Sequence, residues 1–183
     1  KILASYFQAV VPRTAGFNSL PIGELREGTL FFIVILMFIG ASPGSTGGGI
    51  KTTTFGAMAF LVISIIKGRN EVEVFNRTIP NETVIKALTI LLISLGIVVL
   101  ATLFLLITEK ANTIQILFEV VSAFATVGLS TGITPNLTPI GKIIIIFTMF
   151  LGRVGPLTLT FALTERIRKG SHIKHPEEKI MVG

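Results

Sequence analysis

From Ala87 to Ile107 the chain carries no charged side chain. As an α-helix this run extends about 30 Å, the depth of the hydrocarbon core of a bilayer. Backbone at that depth has no water to bond to and must satisfy its N–H and C=O groups internally, which a helix does. The run therefore predicts a full membrane helix over Val84 to Ile107, closed at its far end by Glu109-Lys110. Composition agrees. Of 183 residues, 50% are hydrophobic and 14% charged, against about 25% charged in ordinary soluble domains. The expected fold is an all-α polytopic membrane protein.

The other apolar segments are more irregular. Ile2 to Val11 ends at Pro12, which disfavours helix at the residue before it. Leu30 to Ile39 is too short to span and meets the break Gly40 to Thr54, after which apolar sequence resumes from Phe55 to Ile66. Irregular backbone at membrane depth is tolerated where it is buried in protein or lines a water-filled cavity. Lys67 to Lys86 reads as a polar loop. Thr113 to Ala125 is helical but short, the size of a re-entrant pore helix. Thr134-Pro135-Asn136 is a turn, Thr138 an N-cap with Pro139 at the first helical position, and Ile143 to Leu163 a second membrane helix.

Between the short helix and the turn lies Thr126-Val127-Gly128-Leu129-Ser130. Potassium filters coordinate the ion with rings of backbone carbonyls. Val and Leu side chains cannot ligate a cation, so the backbone would do it here, with Gly128 free to take a positive φ. Taken alone, the string also suits an ordinary strand or turn. A gapless internal match strengthens it. Placing Gly16 on Gly128 also puts Thr14 on Thr126, Ile33 on Ile145, Met37 on Met149, Phe38 on Phe150, Gly40 on Gly152 and Thr46 on Thr158. Shared Ile and Leu are cheap in apolar sequence, whereas matched Gly, Met and Thr at one spacing point to duplication. The second candidate filter is then Thr14-Ala15-Gly16-Phe17-Asn18. Both copies run in the same direction, so the repeat is parallel, not inverted.

The net charge of +6 raises nucleic-acid binding as an option, but Arg166, Arg168, Lys169, Lys174 and Lys179 cluster just after an apolar helix. That is the placement of a cytoplasmic flank. Lys67, Arg69 and Arg77 lie on the same side by topology, so the tail is expected in the cytoplasm and the filter loops open outward. The chain lacks Cys and hence disulfide or thiol chemistry. His172 and His175 read as part of a solvated tail. No nucleophile–base–acid set appears, and no enzyme is expected. The start, with no Met and no signal-like region, reads as that of a fragment.

Two further features suggest roles. Gly44-Ser45-Thr46-Gly47-Gly48-Gly49-Ile50-Lys51-Thr52 is similar to a nucleotide-binding loop, but Ile50 separates the last Gly from Lys51 and no strand precedes it. It reads better as a flexible gate, the bland alternative being a simple kink. Lys51 either contacts the cytoplasmic mouth or snorkels. Arg153 falls mid-helix, where a charge costs at least about 2.5 kcal/mol. It is expected to line a water-filled pore, the alternative being a structural anchor to another helix.

Thr14 to Asn18, the Gly40 to Thr54 break, Thr126 to Ser130 and Gly152-Arg153-Val154-Gly155-Pro156-Leu157-Thr158-Leu159 together resemble the Trk/Ktr/HKT superfamily of cation transporters, above all its bacterial Ktr membrane subunit. The resemblance covers nearly the whole chain. It implies the last two of four helix–pore loop–helix repeats: 1–67 the third, lacking its first helix; 68–83 a cytoplasmic linker; 84–165 the fourth; 166–183 a cytoplasmic tail. It implies passive or ion-coupled potassium uptake through a fourfold pseudosymmetric filter with one Gly per loop, here Gly16 and Gly128. Two such loops make half a ring, so this segment alone should not conduct. Gly44, Ser45, Thr46, Gly47, Gly48, Gly49 and Lys51 would form an intramembrane gate, and Arg153 a fixed charge below the filter. The transported ion would be K+, with Na+ dependence open, and this chain would hold no cofactor. A homodimer in membrane lipid, a cytoplasmic nucleotide-binding regulatory subunit and no nucleic acid are the implied partners. The alternatives are a tetrameric potassium channel, which would need one repeat per chain and is disfavoured by two unequal copies; the potassium-binding subunit of a P-type pump, disfavoured by Gly152-Arg153; and a non-transporting scaffold.

Overall fold

The structure, a computed structural model, describes residues 2–69, 71–75 and 77–168, with side chains as far as Gly155. Six helices dominate: α1 (Ile2–Val10), α2 (Glu27–Phe38), α3 (Thr52–Ile66), α4 (Asn81–Thr108), α5 (Thr113–Phe124) and α6 (Pro139–Arg168). Short 3-10 turns at Ile22–Glu24 and Thr134–Asn136 precede α2 and α6.

The short helix α5 sits at the centre and packs against α2, α4 and α6. Ile116, Phe118, Val120, Val121 and Phe124 are almost fully buried there, with Met37 from α2 and Leu105 from α4. Its start is fixed locally. The Asn112 and Gln115 side chains each bond the other residue's backbone in a capping box, which satisfies two N–H groups that no helical turn can reach. The entry to α6 is built as its sequence predicts. The Gly141 N–H donates to the Thr138 hydroxyl at 3.1 Å, and Pro139 opens the helix. The Glu109 carboxylate, just past α4, accepts the Thr138 N–H at 3.2 Å and also its hydroxyl. The tail of α4 and the head of α6 are thereby tied together.

Among the described residues, α4 is the one helix long and apolar enough to cross a membrane. The expected span Ile143 to Leu163 lies within α6, but the side chains from 156 onward are outside the described residues. So are Lys169, Lys174, Lys179, His172 and His175, on which the tail readings rested. Leu92, Leu95, Val99, Leu103 and Phe104 of α4, with Ile143, Ile146, Phe147 and Phe150 of α6, are exposed. An apolar face of this extent suits lipid or further protein, not water.

The polar loop holds a surprise. Val72–Val74 (β1) and Arg77–Ile79 (β2) pair antiparallel, with Val72 opposite Ile79 and Val74 opposite Arg77. The fold is therefore helical with one small hairpin, not purely α. Val72 is buried with Ala57 and Met58 of α3 and Val84 and Ala87 of α4, so the hairpin caps that helix pair. Its signal was the alternation Glu71-Val72-Glu73-Val74, which a loop reading passes over. In addition, α4 starts at Asn81, not Val84, directly after Pro80.

Candidate functional site

Two loops follow two short helices, α1 and α5. In the second, the last turn of α5 runs into the loop without a gap: the Thr126 N–H donates to the Ala123 carbonyl at 3.1 Å and the Val127 N–H to that of Ser122 at 2.9 Å. In the first, the Ala15 N–H donates to the Val11 carbonyl at 3.2 Å. The N–H groups are thus turned back toward the helix. The carbonyls of Thr14 to Asn18 and Thr126 to Ser130 accept no hydrogen bond from within the chain among the described residues. Carbonyls are obligatory acceptors, so a row of them left free is a row available to a ligand.

The backbone explains how such a row is held. Thr14 has φ +67° and Gly16 +69°; Thr126 has φ +54° and Gly128 +88°. Left-handed residues alternate with ordinary ones at the same places in both loops. This conformation costs a β-branched threonine energy, and strain of this kind gathers at functional sites. A Cβ on Gly16 would collide with the Val127 carbonyl oxygen, whereas one on Gly128 would come no nearer than 4.0 Å to Gly16 Cα. The two loops therefore face each other at close range through Gly16 and Val127. At their outer ends they close alike. The Asn18 side chain accepts the Leu20 N–H at 3.1 Å, and the Ser130 hydroxyl accepts the Gly132 N–H at 2.9 Å. Asn18 and Ser130, like Leu20 and Gly132, are equivalent at the repeat spacing of Gly16 and Gly128.

The Gly-rich segment lies directly against the other end of these loops. It departs at Ile39 and returns at Ile50, and those two residues form a parallel bridge at its base. The Gly48 N–H donates to the Thr126 hydroxyl at 2.8 Å. A Cβ on Gly47 would lie 2.9 Å from Thr14 Cγ2, and one on Gly48 2.8 Å from the Thr126 hydroxyl oxygen. Only glycine allows the strand to approach both threonines this closely. Gly44, Ser45 and Thr46 form the exposed outer part of the excursion, and Gly49 takes φ +72° beside Ala125.

Lys51 bonds within the excursion itself. Its ammonium turns back and donates to the Gly47 carbonyl at 2.8 Å, the Ser45 carbonyl at 3.0 Å and the Ser45 hydroxyl at 3.4 Å. It holds the excursion in shape from within. Arg153 is exposed, lies close enough for its charge to act on Lys51, and has no acidic partner among the described residues. Its neighbour Gly152 is buried, and a Cβ there would overlap the Phe124 carbonyl. Gly152 thus lets α6 lie flush against the C-terminal end of α5. Glu119, buried in α5, was missed by the sequence reading. The one cue was a lone carboxylate in the middle of an apolar helical run.

The cation transport protein family described by the TrkH model matches residues 1–172. This chain belongs to that family. Members carry cations and are not enzymes. The chain is 50% identical over its whole length to the Ktr system potassium uptake protein B of Bacillus subtilis (strain 168), covering 41% of that protein. It is 42% identical, again over its whole length, to the potassium/sodium uptake protein NtpJ of Enterococcus hirae, covering 42% of it. The structure of the potassium transporter TrkH from Vibrio parahaemolyticus superposes with a TM-score of 0.71 over 89% of this chain and 37% of the other, at 21% identity. That likeness establishes a shared helical membrane fold. The chain spans about two fifths of the length of these relatives.

Proposed function

We propose that the chain supplies two of the filter walls of a potassium uptake transporter in the cell membrane. The carrying observation is the pair of loops Thr14-Ala15-Gly16-Phe17-Asn18 and Thr126-Val127-Gly128-Leu129-Ser130, with free carbonyls and left-handed residues at matching positions. Carbonyls that accept nothing from the described residues can replace the water shell of an ion. The C-terminal end of α5, from which the second loop issues, adds the negative end of its dipole. Relatives named for potassium uptake support K+ as the ion, and one named for potassium and sodium leaves Na+ open as a companion.

In this reading 1–67 and 84–165 are the third and fourth of four tandem repeats, joined by the linker 68–83 and followed by the tail 166–183. A groove between α1 and α2 supports it. Gln8, 8% exposed, has neither amide atom bonded there, and the equivalent groove between α5 and α6 is covered by α4. The first groove is the seat for the opening helix of the third repeat. The Gly-rich excursion, hydrogen-bonded to Thr126 and shaped by Lys51, is the gate. Arg153 lines the pore below the filter. The linker and tail face the cytoplasm, where a nucleotide-binding regulatory subunit docks, and the transporter is a homodimer.

Reconstitution of the full-length protein tests the core of this. Purified protein in liposomes should take up rubidium or potassium down an applied gradient without ATP. Absence of uptake at verified insertion would sink transport, and a requirement for ATP would favour a pump. Arg153→Ala should alter rate or leak at equal expression; unchanged flux and selectivity would remove Arg153 from the pore.

A further inference from the structure

Behind the Thr126 to Ser130 wall sits a buried carboxylate. Glu119 is 6% exposed, and no basic residue pairs with it among the described residues. A buried ionised group is tolerable only if its lone pairs are filled. Here they are filled from one direction. The Ser130 hydroxyl donates to Glu119 Oε1, as do the Thr131 N–H at 3.1 Å and the Thr131 hydroxyl at 3.5 Å. The Thr134 hydroxyl donates to Oε2 at 3.0 Å, and the Ser130 and Thr134 hydroxyls are themselves 2.9 Å apart. Every donor thus belongs to the stretch that begins with the last residue of the candidate filter. Glu119 also lines a cavity of about 250 Å³ with Ser122, Thr126, Gly128 and Met149, between that wall and α6.

The other copy supplies a control. Asn18 and Ser130 close equivalent turns, yet the residue equivalent to Glu119 is Phe7, 40% exposed. The turn itself therefore does not need the carboxylate. What Glu119 adds is a grip from behind on the outer end of one wall only.

We infer that Glu119 is a positioning and specificity-determining residue: its carboxylate fixes the outer end of the Thr126 to Ser130 wall, and with it the spacing of the carbonyls that discriminate K+ from Na+. This rests on the filter reading above. A wall held at one spacing favours the ion whose radius it fits, whereas a loosened wall can close on a smaller one. The side chain touches no ion. It acts through Ser130, Thr131 and Thr134.

The test uses the full-length transporter in liposomes, with rubidium uptake measured against rising Na+ so that half-saturation and maximal rate are separated. Glu119→Gln keeps the volume and one acceptor but loses the charge-assisted bonds. It should lower discrimination between K+ and Na+ roughly tenfold, the scale expected when one hydrogen bond to a charged group is lost, and leave the maximal rate nearly unchanged. Phe7→Leu should change neither quantity. Removing the donors instead, with Ser130→Ala plus Thr134→Val, should shift discrimination in the same direction, and adding Glu119→Gln to that pair should shift it little further. Glu119→Gln at normal membrane levels with wild-type discrimination overturns the inference. Where that variant fails to accumulate, unchanged discrimination in the donor pair overturns it. A wild-type protein that carries no rubidium removes the filter reading, and this inference with it.

Discussion

The two copies share a loop conformation but not a setting. In the second, α5 is enclosed by α2, α4 and α6, and its residues from Phe118 to Phe124 are all buried. In the first, Gln8 is the one buried residue of α1. Even so, Thr14 and Gly16 match Thr126 and Gly128 in backbone sign, and Asn18 closes the turn that Ser130 closes. The loop conformation is therefore set locally, by a Thr-x-Gly sequence leaving a helix end, and does not depend on how much protein surrounds that helix. What surrounds it differs for a second reason. The helix after the first loop stops at Phe38, whereas its counterpart α6 continues past Gly152. Gly40 and Gly152 are equivalent, but one meets the carbonyl of Gly48 and the other that of Phe124. One glycine admits the returning excursion, and the other admits the C-terminal end of α5.

The sharpest way to break the likeness is at the facing glycines. Both have positive φ, so alanine at either position incurs strain of about 1–3 kcal/mol. At Gly16 the new methyl also drives into the Val127 carbonyl, while at Gly128 it meets only open space and Gly16 Cα at 4.0 Å. On the proposed filter reading, Gly16→Ala should therefore reduce potassium uptake by the full-length protein by roughly a hundredfold or more and Gly128→Ala by roughly tenfold, at about tenfold per 1.4 kcal/mol. Equal losses in ion-flux measurements on the full-length protein would mean that the loops do not face each other as described.

A smaller effect should come from the region that only the first copy possesses. On the proposed gate reading, deleting part of Ser45 to Gly49 removes the Gly48 N–H that bonds Thr126, and flux should rise. Lys51→Met leaves the chain length intact but frees the Gly47 and Ser45 carbonyls. On the proposed gate reading, losing these bonds to a charged group should raise flux, by less than deletion does. Flux unchanged by either alteration would reduce the excursion to a kink without gating.

How far these features could be read from the sequence follows the range of the interactions behind them. The α5 boundary, the α6 cap at Thr138 and the stop of α2 ahead of Gly40 depend on residues within a few positions, and each was legible; the equivalence of Thr14 with Thr126 was legible as a repeat. The hairpin at Val72–Val74 was legible in its alternation but hidden by its charges. The Lys51 clamp could not be read, because a lysine beside a glycine run carries no sign of which carbonyls it will turn back to. Glu119 was invisible as a site for the same reason. Its donors lie 11 to 15 positions further along the chain, and nothing in an apolar helix announces that a loop will fold back onto it.

The smallest difference between the copies lies at their second helices. Thr138 and Arg26 occupy equivalent positions before α6 and α2. The Thr138 hydroxyl accepts the Gly141 N–H and is itself held by Glu109, while Arg26 makes no side-chain cap. N-cap threonine replaced by alanine costs about 1 kcal/mol. Thr138→Ala should therefore lower thermal stability in detergent by a few degrees. Arg26→Ala should leave it unchanged, and Arg26→Ser should raise it slightly by supplying the missing cap. If Thr138→Ala and Arg26→Ala proved equally harmless, Glu109 would be satisfying the α6 terminus without Thr138, and the tie between α4 and α6 would rest on the Glu109 carboxylate and the Thr138 backbone N–H alone.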